Sequence, residues 1–113
     1  MEASLPLTIV GWTFSGLLLV MVVICIAAAS GRLPLNGFVG IRIPSLMRDD
    51  GAWRAGHTAA VRPAAVALVV ALVASGIGPA LPPAHWGAIA AFVAGVVWVF
   101  VSASRAVRLA VTV

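Results

Sequence analysis

Three stretches of the chain are apolar enough to lie in lipid, and one polar stretch separates the first from the other two. Leu7 to Ala29 (LTIVGWTFSGLLLVMVVICIAAA) carries no charge and is long enough to cross a hydrocarbon core of about 30 Å. Glu2 in place of basic residues, and the length of the apolar run, favour a retained span over a secretory leader. Pro63 to Ser104 is again free of Asp, Glu, Lys and Arg, too long for one span and right for two. Its break is Gly78-Pro79-Ala80-Leu81-Pro82-Pro83, since each proline removes a backbone donor and clashes with the preceding turn.

The pattern predicts a single-domain, all-α integral membrane protein with three transmembrane helices over about 7–29, 64–79 and 85–104. The second of these is short and must gain a turn or more from the residues before it. Between the first and second spans, the polar segment 32–62 is expected to form an interfacial cytoplasmic loop-helix. Asp49 is a good N-cap for its helix and Asp50 suits the first turn. That register puts Asp50, Trp53, Arg54 and His57 on one face, with Asp50 and Arg54 spaced to pair. Pro63 then begins the second span or kinks the passage into it.

Composition agrees: 63% of residues are hydrophobic, 9% are charged, and the mean hydropathy is +1.17. Such a chain is neither a disordered segment nor an ordinary soluble enzyme. The seven basic residues are all Arg, and the net charge is +4. Segment 32–62 holds five Arg against two Asp, a net of +3. Basic residues beside spans orient them towards the cytoplasm, so no nucleic-acid partner is called for. The expected orientation is N-terminus outside and C-terminus cytoplasmic, with Trp12 and Trp86 at the outer interface. All-Arg basicity with abundant Ala and Val points to a GC-rich bacterial genome, so the membrane expected is the bacterial cell membrane. Cys25 has no partner for an intrachain disulfide and reads as a small buried hydrophobe.

Small residues recur at four-residue spacing: Gly11 and Ser15 in the first span, Ala67, Ala71 and Ser75 in the second, Gly87, Ala91 and Gly95 in the third. Such stripes let helix backbones approach closely in lipid, within the chain or between copies in a homo-oligomer.

The run Asn36-Gly37-Phe38-Val39-Gly40-Ile41-Arg42-Ile43-Pro44-Ser45 starts with turn formers, passes two glycines and ends at a proline that biases Ile43 towards extended backbone. Asn36 is expected to cap a turn. Arg42 reads as a headgroup anchor, as a clamp on Asp49, Asp50 or a backbone carbonyl, or as a site for an anionic group. Trp53 reads first as an interfacial anchor, and His57 as a hydrogen-bonded structural residue or a proton switch.

At these residues the chain resembles the SdpI family of membrane proteins, which includes immunity proteins against a secreted toxin peptide. The resemblance rests on N-x3-G-I-R-x-P, carried by Asn36, Gly40, Ile41, Arg42 and Pro44, followed by Ser45 and then by Trp53 and His57 as W-x3-H. Leu46 and Gly51 depart from it, standing where a polar and an acidic residue are expected. The resemblance implies a multi-pass membrane protein in which this segment binds a membrane-active peptide, a lipid or a protein partner.

Neither a catalytic pattern nor a metal-ligand spacing is visible, and no cofactor is called for. The leading expectation is a non-enzymatic binding protein. An accessory subunit of a larger membrane complex is the alternative. An oligomeric transporter or channel ranks behind both, since the spans lack mid-membrane charge.

Overall fold

The computed structural model describes residues 4–112, with side chains from 5 to 109, so Glu2 lies outside the described residues. Three helices follow in order: α1 (Ser4–Ala29), α2 (Asp50–Ile77) and α3 (His85–Thr112), with a 3-10 turn, Pro82–Ala84, leading into α3. No strand occurs among the described residues. All three helices are long and apolar enough to cross a membrane, over Leu5–Ala29, Asp50–Ile77 and Pro82–Leu109.

The second helix corrects the expectation of a separate loop-helix. It begins at Asp50, runs unbroken through the buried Pro63 and ends at Ile77. A proline within a helix lacks the N–H that would bond the carbonyl four residues back, but its fixed φ remains helical. Here packing on both sides of Pro63, with Ala60 and Ala64 in the core, keeps the helix continuous. At 1.5 Å per residue the helix is about 42 Å long, more than a hydrocarbon core needs. Its first turns, bearing Asp50, Arg54, His57 and Arg62, therefore extend towards the polar side of the membrane.

The small-residue stripes are consumed within the bundle. Ala67 and Ala71 of α2 face Ala88 and Ala91 of α3 around Leu18 of α1. A Cβ placed on Gly95 would stand 2.5 Å from that of Ala67, and one on Gly87 would stand 3.0 Å from that of Ala74. The buried Ser15 and Ser75 hydroxyls meet at 3.2 Å between α1 and α2. With no hydrophobic drive between helices in lipid, close backbone approach and such polar contacts hold the bundle. Closer to the 32–62 segment, a second cluster joins Cys25, Ala60, Ala64, Val99, Ala103 and Val107.

At the opposite end, Gly78 caps α2, and the turn is closed by Ala80 and Leu81 N–H groups on the Ile77 carbonyl. His85 opens α3 there, fully buried between Gly11 and Gly78, with Nε2 3.3 Å from Thr8 Oγ1. Trp12 and Trp86 are exposed beside it. His57 and His85 thus sit at opposite ends of a bundle 54 Å long.

Gly95→Val should destabilise the bundle by about 1–3 kcal/mol through overpacking against Ala67, read by reversible unfolding in mixed micelles. Gly76→Ala, with open space around it, should be neutral or slightly stabilising. Equal stability of Gly95→Val and parent would contradict the observed α2–α3 approach.

Candidate functional site

The segment from residue 30 to 49 has no helix or strand, yet nearly every turn of it is held by a named bond. α1 stops where Gly31 adopts φ +86, a left-handed conformation that glycine enters without a Cβ penalty. The Leu33 N–H then bonds the Ala27 carbonyl at 2.9 Å. Arg54 of α2 approaches the freed Ala29 carbonyl through Nε and Nη2, each at 3.4 Å. A guanidinium there satisfies an orphan carbonyl and faces the negative end of the helix dipole. This replaces the expected pairing of Arg54 with Asp50, and both side chains lie outside the buried face that holds Trp53 and His57.

Asn36 organises the loop tip. Its Oδ1 accepts the N–H groups of Phe38 and Val39, both at 2.8 Å. Its Nδ2 donates to the carbonyls of Pro34 at 2.8 Å and Val39 at 3.1 Å. Arg42 reaches back to donate from Nη1 to the Asn36 carbonyl at 2.6 Å. Of the three clamps open to Arg42, the structure shows the backbone carbonyl. The outcome is a closed turn whose tip carries Phe38, 92% exposed.

Below the tip, Gly40 takes φ +127 and lies directly against the Trp53 indole, where any Cβ would overlap the ring. Both conformation and space therefore require glycine. Trp53 is buried and donates from Nε1 to the Leu33 carbonyl at 3.0 Å, so it is a pillar under the loop and not an interfacial anchor. His57, one turn on, stacks obliquely on it with ring centroids 4.2 Å apart.

The ring of His57 makes two bonds. Its Nε2 accepts the Ile41 N–H at 3.0 Å, and its Nδ1 lies 2.7 Å from the Trp53 carbonyl. An N–H donor at one nitrogen and a carbonyl at the other fix a neutral ring with its proton on Nδ1. Leaving the buried Ile41 N–H without this acceptor would cost about 1–3 kcal/mol. So fixed, Ile41 inserts its side chain into the Cys25–Val99 cluster and anchors the loop to all three helices.

Pro44 starts the next turn, in which Leu46 and Met47 N–H groups return to the Ile43 carbonyl. Ser45 is half-buried within it. Leu46 is fully buried over Gly56, whose missing side chain leaves its space. The apolar residue at 46 is thus a packing partner of a glycine in α2. Gly56 went unremarked in the sequence, although a glycine inside a helix is a costly choice and signals close approach. Gly51, the other departure, occupies the exposed first turn of α2.

Asp49 caps α2, its carboxylate accepting the Ala52 N–H at 2.7 Å and pairing with Arg48 at 3.2 Å. The Ala52 N–H first, and then Arg48, hold the carboxyl below its usual range. Among the described residues, no group of three or more His, Cys, Asp or Glu side chains gathers.

Fold and loop together define a class: a three-helix membrane protein whose first connection is an ordered platform seated on Trp53 and His57. The chain belongs to the SdpI/YfhL protein family, which it matches from residue 32 to residue 104. That match takes in the whole platform, α2 and most of α3. No curated protein and no solved structure matches the chain.

Because the folded Asp49 carboxyl titrates below the unfolded one, the cap is fully present above the ordinary carboxylate range. It is lost as pH falls through the depressed folded value. The protection of the Ala52 amide, its exchange measured against the intrinsic rate at each pH, should fall on that acidification. Asp49→Asn should start the helix with the pH dependence removed, and Asp49→Ala should lower that protection at neutral pH, where the parent carboxylate is ionised. An Ala52 amide equally protected in Asp49→Ala and parent would show that the carboxylate does not hold this turn.

Proposed function

We propose that the chain is a non-enzymatic binding protein of the bacterial cell membrane, whose Asn36–His57 platform captures a membrane-active peptide in the manner of toxin immunity. The observation that carries this reading is the tip of the platform. Asn36, with one donor of Arg42, Nη1, holds Phe38 and Val39 outward, 92% and 42% exposed. An ordered loop that displays apolar side chains fits contact with an amphipathic partner. In this reading the platform faces the cytoplasm, as the five Arg of segment 32–62 favour.

Asn36, Gly40, Ile41, Trp53 and His57 then act as supports, Pro44 and Ser45 shape the return turn, and Phe38, Val39 and Arg42 form the contact surface. The peptide would be intercepted in the bilayer, as it reaches the cytoplasmic leaflet where the platform lies. The small-residue stripes lend no support to an accessory subunit, because α1, α2 and α3 already use them against one another. Fold alone does not fix an activity, so the test is on the platform itself.

A sensitive host expressing the chain is challenged with the secreted toxin peptides against which SdpI-type proteins act. The parent should protect. Phe38→Ser and Arg42→Ala should lose protection at unchanged membrane levels, because neither side chain is part of the core. If both variants protect as fully as the parent, the platform has only a structural role.

A further inference from the structure

Helices α1 and α3 touch each other less than either touches α2. The space left between them is a groove of about 430 Å³, open at the side of the bundle. Leu17, Val20 and Ile24 of α1 form one wall, Phe92 and Phe100 of α3 form the other, and the loop from Gly40 to Ile43 closes one end. In a spanning protein this opening faces lipid tails, not water. Phe92 and Phe100 are eight positions apart, so the apolar part is about 12 Å long. That is the dimension of part of one extended acyl chain.

The closed end is not apolar. Arg42 is the one charged side chain on the lining. It spends Nη1 on the Asn36 carbonyl, and no carboxylate pairs with it, the one ion pair among the described residues being Arg48–Asp49. Beyond Phe100 a second hollow is lined by Ser45, Ser104 and Arg108, which adds hydroxyls and another exposed guanidinium at the same end. Polarity therefore changes along the groove in the order of an amphiphile, hydrocarbon first and cationic donors at the mouth.

We infer that this groove is a specific site for an anionic phospholipid of the surrounding bilayer, one acyl chain lying between α1 and α3 along Phe92 and Phe100 and the phosphate over Arg42. The guanidinium matches a phosphate with paired N–H donors, and low local dielectric strengthens that contact. A zwitterionic lipid brings a cation to the same place, beside Arg42 and Arg108, and is disfavoured. The bound lipid completes the wall that the helices leave open and backs the loop segment 40–43 that His57 pins. The site shares Arg42 with the contact surface proposed for the peptide, but its groove lies between α1 and α3, away from Phe38, and the Val20→Trp arm of the test below reads lipid binding without touching that surface.

The test uses the full chain in nanodiscs of equal palmitoyl-oleoyl phosphatidylglycerol and phosphatidylcholine, released and weighed by native mass spectrometry. The parent should retain one phosphatidylglycerol in several-fold preference to phosphatidylcholine. Arg42→Gln should lose the preference, and Arg42→Lys should recover part of it. Val20→Trp, which fills the groove from an exposed position, should lose the bound lipid. Val69→Trp, on the exposed face of α2, should retain it and reports whether the added indole is tolerated. Equal retention of the two lipids by the parent overturns the inference, as does equal phosphatidylglycerol retention in Val20→Trp and Val69→Trp.

Discussion

A single imidazole ring joins the platform to the helices. His57 takes the Ile41 N–H on one nitrogen and faces the Trp53 carbonyl with the other, while its face lies against the Trp53 indole. Ile41 is thereby held in the core, Gly40 is pressed onto the indole, and Arg42 emerges on the outside. Those three neighbours have three different jobs: close approach, anchoring and charge. None of them survives a shift of the loop by one residue, because only Gly40 has both the space and the left-handed φ.

The helices supply what this pin needs. Their small inward residues bring the backbones close, so α2 stands firmly enough to offer Trp53 and His57 as a fixed surface. Without a break at Pro63, α2 is longer than a hydrocarbon core needs, and Trp53 and His57 stand in its first two turns. Arg54 closes the arrangement from the other side by reaching the end of α1. The loop's own polar groups are meanwhile satisfied internally by Asn36, which leaves Phe38 and Arg42 as its outward chemistry.

Much of this is written locally in the sequence. Uncharged runs of span length and the Pro-Gly break disclose the three helices, and turn formers at Asn36 and Gly37 disclose the tight turn. The spacing of Trp53 and His57 on one helical face is equally local. What stayed hidden depends on distant partners: Trp53 Nε1 finds Leu33, Arg54 finds Ala29 and not Asp50, and Leu46 finds Gly56. Continuity at Pro63 was hidden for a related reason. A proline's cost is local, whereas the packing that outweighs it comes from residues on other helices.

The most direct measurement of the pin is nitrogen-15 NMR of the His57 ring at neutral pH in lipid. The geometry predicts a neutral ring protonated at Nδ1, with Nε2 showing the shift of a hydrogen-bond acceptor and a coupling across the bond to the Ile41 amide. A ring protonated at Nε2, or doubly protonated, would leave the Ile41 N–H without its acceptor and contradict the account.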